Sequence, residues 1–385
     1  MAGIYIHIPF CKQACTYCDF FFDTTTKYRD AFVPALVAEI ESYQTKEEST
    51  ERIETVYLGG GTPSRLTSRE LANIFESLHR IFDISTDAEI TMEVNPDDLN
   101  EVYLGNLKKI GINRLSVGVQ TFDENLLKFM NRAHTKEEAQ SVLQLISENG
   151  FRSWTADIIY GNPEQSIAML EKDLEMMMKF NPPHISAYTL TVEPHTKLGS
   201  MVRKNVVNPA DDEDVANQME FLTSFFNERG IHRYEVSNFA RKGHGSKHNS
   251  AYWEHVNYLG LGPAAHGFWW KGIEGRRTSN RANLRDYVQS PGNPSKDVDE
   301  QLTLSVLAEE RLLIGLRTLK GVAQKELQNR YNYRLDSKQL DYINYLKENG
   351  FMKLVDDLLQ LTDKGLAVAD QITLQLISRG ESGGK

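Results

Sequence analysis

Short apolar runs recur along the first 190 residues, and each is followed by a longer segment with helical spacing of its apolar positions. In the first run, 4–8, isoleucines alternate with polar rings, which is typical of a half-buried strand. The same reasoning predicts five more strands, at 55–58, 89–94, 114–119, 153–159 and 184–190. Repeated strand–helix units favour a parallel sheet with right-handed crossovers. Because six strands fall short of an eight-stranded barrel, the pattern predicts an α/β fold built on a partial (β/α)6 barrel.

Helices are predicted wherever apolar residues recur at intervals of three and four. One helix covers 27–43, and the next has Ser68 as its cap, with apolar residues at helical spacing after it. Beyond the sixth strand the regular alternation of strands and helices ends. A long helix over 211–230 ends in glycine and is followed by a strand at 233–236 and an aromatic-rich loop region at 239–270.

We therefore expect three parts in the chain. Residues 1–235 form the barrel domain, 236–300 an aromatic-rich connecting region, and 301–385 a mixed, mostly helical C-terminal domain. This last part ends in a helix, a hairpin over 352–361 and a further helix from Thr362, an order similar to a winged helix. Winged helices often bind DNA, but three aspartates make this wing acidic. A structural or partner-docking role is therefore expected of it.

Composition and charge narrow the class of protein. The 385 residues are 40% hydrophobic and 25% charged, without an apolar run long enough to cross a bilayer, so the sequence predicts a globular chain that does not span a membrane. A formal net charge of −10 gives no electrostatic footprint for nucleic acid. The end of the chain, 380–385, is a glycine- and serine-rich tract. No signal peptide precedes the first strand, so we expect a reducing, cytoplasmic location.

The three cysteines lie within one eight-residue window, at Cys11, Cys15 and Cys18. Thiolates are the preferred ligands of iron–sulfur clusters, and three of them leave the fourth iron of a cubane free to bind a small molecule. A zinc site would need Asp19 or His7 as its fourth ligand, and zinc ligands usually come as two separated pairs. A disulfide framework normally needs an even number of cysteines and an oxidising compartment. Three unrelated structural thiols are the remaining alternative.

Glycines and polar side chains gather where the predicted strands end. The triplet 59–61 follows the second strand, and Glu93, Gln120 and Asp157 lie in or at the end of the third, fourth and fifth strands. Ligands of open α/β sheets and barrels bind at the carboxyl ends of the strands. Glycines let a backbone approach a ligand closely, although they also serve plain turns. The polar side chains could equally be structural groups with buried partners.

These residues together resemble the radical S-adenosylmethionine (SAM) family, in the branch that includes oxygen-independent coproporphyrinogen III oxidase. The resemblance rests on 5–11, the cysteine spacing, 59–63, 116–120 and the pair Asn131-Arg132, and it covers essentially the whole chain. It implies a 4Fe–4S cluster on the three cysteines, with the amino and carboxylate groups of SAM on the open iron. The SAM contacts that it implies are Tyr5, Tyr17, Gly60, Gly61, Thr62, Glu93, Gln120, Arg132 and Asp157. Arg132 would pair with the SAM carboxylate, while Glu93 and Asp157 would face its amine or ribose hydroxyls.

Two departures favour a different member of this branch. Phe20 stands where the oxidase carries a further cysteine, and the N-terminal extension that closes over the oxidase substrate has no counterpart here. With the segment 247–253, these features are similar to a family of heme chaperones, in which a His-Asn-x-x-Tyr-Trp motif is associated with heme. The resemblance implies binding of heme and its delivery to acceptor proteins, with membrane respiratory proteins as candidates, and an electron donor for the cluster. The alternative is the oxidase itself, which cleaves SAM to a 5′-deoxyadenosyl radical; that activity is not expected here.

The heme motif makes His248 the first candidate for a heme ligand, because a neutral imidazole binds heme iron well. Its rivals in the same stretch are His244, His255 and His266, whereas His7 is expected to line the SAM side of the barrel. Arginines at positions 276, 277, 281 and 285 could reach the propionates. Aromatic faces that could cover the macrocycle are Tyr252, Trp253, Tyr258, Phe268, Trp269 and Trp270. On chemistry alone, His248 could instead be a polar loop residue and the aromatics core between domains.

Overall fold

Six parallel strands form the centre of the fold in a computed structural model that describes residues 1–380. They pair in chain order, as the sequence pattern predicts. The end of the glycine- and serine-rich tract, 381–385, lies outside the described residues. The six strands are β1 (Ala2–Ile8), β2 (Ile53–Gly60), β3 (Ile84–Val94), β4 (Arg114–Gln120), β5 (Ser153–Tyr160) and β6 (His184–Thr189).

Six further strands extend both edges of this sheet. Strand β9 pairs in parallel with β1, and β10, β11 and β12 follow antiparallel, while β8 and β7 continue beyond β6. The sheet therefore ends at β12 and β7 and the barrel stays open, which agrees with the partial barrel predicted. The added strands are β7 (His232–Arg233), β8 (Asn238–Ala240), β9 (Asn257–Leu261), β10 (His266–Lys271), β11 (Glu274–Asn280) and β12 (Lys296–Leu302).

Fifteen α-helices are present in the described residues, and those that follow β1 to β5, apart from the short α4, bury their apolar faces in one core with the sheet. Strands β1 to β6 thus alternate with helices, as expected of βα units. The helices are α1 (Arg29–Glu41), α2 (Ser68–Ile81), α3 (Glu101–Ile110), α4 (Glu124–Phe129), α5 (Lys136–Glu148), α6 (Ile167–Met178), α7 (Lys197–Arg203), α8 (Asp212–Asn227), α9 (Lys247–Trp253), α10 (Leu284–Gln289), α11 (Leu304–Gly315), α12 (Gln324–Tyr331), α13 (Ser337–Glu348), α14 (Asp363–Leu366) and α15 (Ala369–Arg379).

The cap of α2 differs from the predicted one by a single residue. Thr67, not Ser68, is the N-cap: its hydroxyl accepts a hydrogen bond from the backbone NH of Glu70, and the Glu70 carboxylate accepts from the NH of Thr67. This reciprocal pair is a capping box, which a threonine and a glutamate three residues apart form readily. The prediction of Ser68 as cap is therefore wrong.

The predictions of a loop region over 239–270 and of a strand over 233–236 are wrong in most of their length. The first segment contains β8, β9, β10 and α9, and the second contributes only the last residue of β7. Glycines in this segment serve close strand contacts: a Cβ on Gly260 would lie 2.0 Å from the carbonyl oxygen of His266. Residues 236–300, expected to be a connecting region, thus supply most of one half of the sheet.

The C-terminal part has its own small sheet and shares a core with the large one. Strands β13 (Val322–Ala323), β14 (Met352–Val355) and β15 (Leu358–Leu361) pair in the order β13-β15-β14, so the predicted hairpin is confirmed. Its helices pack with Phe268 of β10 and Leu302 of β12 in a second buried cluster. The domain boundaries at 235 and 300 stay a prediction. Within residues 1–380, no helix combines the length and apolarity needed to traverse a bilayer.

Candidate functional site

A cavity of about 630 Å³ lies at the carboxyl ends of the parallel strands, and we call it the cysteine cavity. It brings together eleven of the residues predicted from sequence, from a loop after β1 to Asp157 in β5. This is where ligands of open α/β barrels bind. The predicted residues that line it are Cys11, Cys15, Tyr17, Cys18, Gly60, Gly61, Thr62, Glu93, Gln120, Arg132 and Asp157, and Phe20 lines it as well.

The loop that carries the cysteines is held at several points along its length. The backbone NH of Cys11 donates to the carbonyl of Asp23 (3.0 Å), and the NH of Thr16 donates to the carbonyl of Met130 (3.0 Å). Asn131, in the left-handed conformation at φ 56°, donates from its side chain to the carbonyl of Ala14 (2.7 Å). The cysteine loop is thus fixed to the chain that follows α4, one residue before Arg132.

The three thiols are unpaired and partly exposed to the cavity. The hydroxyl of Thr62 donates to Cys11 Sγ, and Arg132 Nη1 donates to Cys15 Sγ, each at 3.5 Å. Burial raises the pKa of Cys18 to about 11 and also raises the pKa of Cys11, so these two thiols are protonated without a metal. No three His, Cys, Asp or Glu side chains in residues 1–380 are arranged around a single ion. The one-zinc alternative therefore has no ready site there, whereas a cubane takes each thiolate on a different iron.

Arg132 reaches the centre of the cysteine cavity with one donor to spare. Its Nη2 donates to the side-chain oxygen of Asn95 and to the carbonyl of Gly118, both at 2.8 Å. Its Nε is buried without a partner in the described residues. A buried donor without an acceptor is costly, so this guanidinium is ready for an anionic group. Gly118 contributes by its lack of a side chain, because a Cβ there would lie 2.9 Å from Gln120 Nε2.

Gln120 ends β4 in a strained conformation. Its φ of 66° is left-handed, which few residues with a side chain adopt, and the β4–β5 register shifts just before it. The resulting turn brings the Gln120 amide to the wall of the cysteine cavity. Non-glycine residues in this region cost free energy and cluster at ligand sites.

Glu93 and Asp157 form the acidic side of the cysteine cavity. Glu93 accepts from the hydroxyl of Tyr57 (2.9 Å) and from the NH of Gly60 (3.1 Å), and Asp157 accepts from Ser116 Oγ (3.0 Å). Burial raises the pKa of each carboxyl to about 7. Two carboxyls that sit near half-protonation at neutral pH can gain charge when a cation or several hydroxyl donors bind.

The glycine triplet packs tightly against β1. Gly60 has φ +106°, and a Cβ on it would lie 2.5 Å from the ring of His7. A Cβ on Gly61 would lie 2.8 Å from the carbonyl oxygen of Ile8. The triplet therefore serves the packing of β2 on β1 as well as the wall of the cavity.

A second cavity, of about 750 Å³, opens beside the first, and we call it the histidine cavity. Asp19 and Phe20 line both cavities, so the end of the cysteine loop is the wall between them. Helix α11 closes the other side with Glu310, Leu313 and Ile314. The remaining lining residues are Tyr5, His7, Phe21, Tyr252, His255, Val256, Tyr258, Ala264, His266, Phe268 and Arg277.

Two residues expected on the SAM side line the histidine cavity instead. Tyr5 and His7 point from the same face of β1, and the Tyr5 hydroxyl is 3.2 Å from His7 Nδ1. His7 Nε2 is 2.8 Å from the carbonyl oxygen of Phe21. Burial lowers the pKa of His7 to about 4, so the ring is neutral. Neither side chain lines the cysteine cavity, and the expectation that His7 lines it is wrong.

His248 lies on α9 with both ring nitrogens engaged. It is 1% exposed, its Nδ1 is 2.8 Å from Thr55 Oγ1, and its Nε2 is 2.8 Å from the hydroxyl of Tyr252. Its ring stacks on Tyr57. Burial lowers the pKa of His248 to about 3. His248 lines neither cavity, whereas Tyr252, of the same motif, lines the histidine cavity.

The other candidate heme residues are dispersed. Phe268 and Tyr258 line the histidine cavity, but Trp253, Trp269 and Trp270 do not. Of the arginines, Arg277 alone lines this cavity, where it donates to both carboxylate oxygens of Glu310 at 2.7 Å. Arg276 and Arg281 pair with aspartates on or near β12.

Comparison with known proteins adds a family to this geometry. Residues 5–177 match the model of the Radical SAM superfamily. The chain is 33% identical to Heme chaperone HemW of Bacillus subtilis (strain 168), over 97% of this chain and 98% of that protein. The chain belongs to the HemW family. A second HemW, from Escherichia coli (strain K12), is 36% identical over 69% of each chain.

A solved structure shares the fold of this HemW family member. Coproporphyrinogen III oxidase (HemN) from Escherichia coli, described as a radical SAM enzyme, has a TM-score of 0.82 and covers 98% of this chain and 90% of its own. At 22% identity this similarity shows a shared fold only. The predicted partial barrel with a mixed C-terminal part is confirmed by this match and by the family model.

The cysteine cavity of this HemW family member fits the cofactors of a radical SAM protein. Three unpaired thiols face it, Arg132 holds an unpartnered Nε there, and a Cβ at position 118 would crowd the ends of the Gln120 and Arg132 side chains, at 2.9 and 3.1 Å. Thiolates suit iron–sulfur clusters, and the guanidinium and two carboxyls suit the carboxylate, amine and hydroxyls of SAM.

Four positioning residues of the HemW-family site were missed from sequence. Asn95 holds Arg132, Tyr57 holds Glu93, Ser116 holds Asp157, and Asn131 holds the cysteine loop. Ser116 and Asn131 stand within the motifs quoted, and Asn95 lies two residues after Glu93, so their position was a signal. Tyr57 offered none, because an aromatic residue inside a strand is ordinary core.

Proposed function

We propose that this protein is a heme chaperone, which binds heme and a SAM-liganded 4Fe–4S cluster and delivers the heme to acceptor proteins. The observation that carries the proposal is the relationship to Heme chaperone HemW of Bacillus subtilis over nearly the full length of both chains. The presence of two adjoining cavities supports it, because one suits the cluster and SAM while the other is lined by aromatic rings and histidines.

The residues of the cysteine cavity each have a role in this proposal. Cys11, Cys15 and Cys18 would hold the cluster, whose open iron binds the amino and carboxylate groups of SAM. Arg132 would pair with the SAM carboxylate, and Thr62 supports Cys11 through its hydrogen bond. Glu93, Gln120 and Asp157 would face the amine and ribose, with Tyr17, Gly60 and Gly61 as further contacts.

Heme transfer defines the partners of the protein. We infer acceptor proteins that take heme, with membrane respiratory proteins as candidates, and an electron donor for the cluster. The proposed location is the cytoplasm, because free thiols and iron–sulfur clusters require a reducing compartment.

One alternative function has a specific observation in its favour. The fold is shared with coproporphyrinogen III oxidase over 98% of this chain, so an oxidase activity fits the architecture. Phe20 speaks against it, since the resemblance places a further cysteine there in the oxidase. We expect no conversion of coproporphyrinogen III.

One experiment separates these functions. Anaerobically reconstituted protein is titrated with heme and, in parallel, given coproporphyrinogen III, SAM and a reductant. We expect about one heme per chain and no decarboxylation. Robust decarboxylation without heme binding would promote the oxidase.

The cluster assignment has its own test. Replacing Cys11, Cys15 or Cys18 by Ala should abolish the thiolate-to-iron absorption, because two thiolates rarely hold a cubane. Thr24→Ala, in the exposed loop that follows, is the control and should keep four irons per chain. A full complement of iron and sulfide in all three cysteine variants would reject the assignment.

A further inference from the structure

The geometry points to the histidine cavity as the heme site, with His266 as the axial ligand of the iron. This inference rests on the proposed heme-binding function and specifies where in the protein that function resides. It differs from the sequence expectation, which put the ligand at His248.

Free ring nitrogens distinguish His266 from the other candidates. His7 and His248 each have both ring nitrogens within 3.2 Å of a partner. His255 has Nδ1 at 3.1 Å from the Tyr331 hydroxyl and Nε2 at 3.5 Å from a carboxylate oxygen of Glu310. His244 contacts Ser153 and does not line the cavity.

His266 has the properties of a metal ligand. Its side chain makes no hydrogen bond or ion pair with the described residues, and it is exposed at the start of β10, where it lines the cavity. Burial and the charge of Arg277 lower its pKa, so the imidazole is neutral at pH 7. A neutral imidazole with a free nitrogen binds heme iron.

The walls of the histidine cavity suit a flat, largely apolar ring. Phe20 is 69% exposed at its edge, and Phe268, Leu313 and Ile314 line its interior. A volume of about 750 Å³ lies within the range of roughly 300–1,000 Å³ that is usual for ligand and cofactor sites. An exposed phenylalanine is costly in water, and a bound macrocycle would cover it.

His248 then has a positioning role. Its Nε2 is hydrogen-bonded to the Tyr252 hydroxyl, and the Tyr252 ring packs edge-on against Tyr258, which lines the same cavity. Loss of the His248 ring would free Tyr252 and loosen this wall. A substitution at His248 would therefore lower heme affinity without removing an iron ligand.

Absorption and resonance Raman spectra of the heme complex separate ligand from positioning residue. Full-length protein is titrated with hemin as wild type, His266→Ala, His248→Ala and His195→Ala. His195 is the matched control, because it is also exposed and also lacks a hydrogen-bond partner in the described residues but lines neither cavity.

We expect His266→Ala to shift the Soret band and weaken hemin binding by about tenfold or more, and added imidazole to restore the wild-type spectrum. His248→Ala should lower the affinity but keep the wild-type ligation spectrum, and His195→Ala should change neither. Leu313→Trp, which fills the cavity from α11, should compete with hemin. Iron content and melting temperature check that each variant is folded.

Three results would overturn the inference in distinguishable ways. A wild-type protein that binds no hemin would contradict the proposed function itself. Wild-type binding with an unchanged His266→Ala spectrum would leave the function standing but place the heme elsewhere, and a ligand-loss spectrum in His248→Ala alone would restore the sequence expectation.

Discussion

A Cβ on Gly61 would lie 2.8 Å from the carbonyl oxygen of Ile8 and from the carbonyl carbon of Pro9, closer than real contacts allow. The obstacle is backbone, so it cannot swing aside as a flexible side chain can. We therefore expect Gly61→Ala to lower the free energy of unfolding by about 2 kcal/mol, before any effect on SAM is considered. Urea denaturation of the cofactor-free protein measures it.

Gly105→Ala is the matched control for this substitution. Gly105 lies inside α3 with nothing within 4 Å of its added Cβ. Alanine there should stabilise the protein by about 1 kcal/mol through helix propensity. Equal effects at the two positions would mean that the triplet is an ordinary turn.

The buried carboxyls make the stability of the cofactor-free protein depend on pH. Glu93 and Asp157 have pKa values of about 7 in the folded protein, against roughly 4 in an unfolded chain. Between these values the unfolded state releases its protons first, so the free energy of unfolding falls as pH rises from about 4 to about 7. Each carboxyl contributes about 1–2 kcal/mol to this fall, after allowance for its partial exposure to the cavity.

Asp157→Asn should remove the contribution of this carboxyl to the decrease in the free energy of unfolding with rising pH. The variant should gain stability over wild type progressively between pH 5 and pH 7.5, measured by denaturant titration at several pH values. Glu101→Gln, at the exposed start of α3, is the control and should show no such trend. A difference between Asp157→Asn and wild type that stays constant with pH would contradict the assigned ionisation.

His248 and His266 show what a sequence motif can and cannot predict about a ligand residue. The motif contains a histidine and a tyrosine four residues apart, and that spacing places them side by side on a helix. The segment was predicted as loop, so their mutual hydrogen bond was not anticipated. His266 carries no motif, and its free ring follows only from the absence of partners in the folded chain.

At the scale of elements, strands β1 to β6 were predictable within a few residues, apart from β3, which starts earlier than expected. Each of them is followed by a helix, so the alternation of strands and helices was visible in the sequence. Strands β9 to β12 were not predictable, because β9 pairs with β1, which lies some 250 residues earlier in the chain. Such long-range pairing leaves no local pattern, and the aromatic residues of β10 indicated a ligand site instead.

Glu39 on α1 fixes this unpredicted half of the sheet to the barrel. It is 2% exposed and accepts from the NH of Gly262 (2.8 Å), the amide of Asn280 (2.8 Å) and the hydroxyl of Tyr287 (2.7 Å). Glu39→Leu would leave the NH of Gly262 and the hydroxyl of Tyr287 without this acceptor, and the Asn280 amide with the carbonyl of Gly262 alone. We expect a loss of about 3 kcal/mol or more in the free energy of unfolding, measured by chemical denaturation.

Glu41→Leu, two positions along the same helix, is the control. Glu41 is exposed and pairs with Arg80 at the surface, so its replacement should cost less than about 1 kcal/mol. Similar losses in both variants would show that the Glu39 contacts do not carry the attachment.

The two cavities follow from the assembly of the whole molecule. The cysteine cavity could be predicted, because parallel strands bring their carboxyl ends to one edge and the motifs stand there. The histidine cavity could not, since its walls come from the cysteine loop, β1, α9, the added strands and α11. Only the packing of the C-terminal part on the open barrel creates it.

Leu312 tests whether this C-terminal part is a separate cooperative unit. It is fully buried in α11, in the second core cluster, one residue before the cavity-lining Leu313. Leu312→Ala should cost about 2–5 kcal/mol and raise amide exchange in 304–376 while β2 to β5 stay protected. Leu36→Ala, equally buried in the barrel core, should raise exchange in the barrel strands instead. Hydrogen exchange with mass spectrometry measures both, and a uniform rise across the chain in both variants would mean a single cooperative unit. If the C-terminal part is a separate unit, Leu312→Ala should also weaken hemin binding and leave cluster content unchanged. The reason is that α11 lines the histidine cavity but not the cysteine cavity.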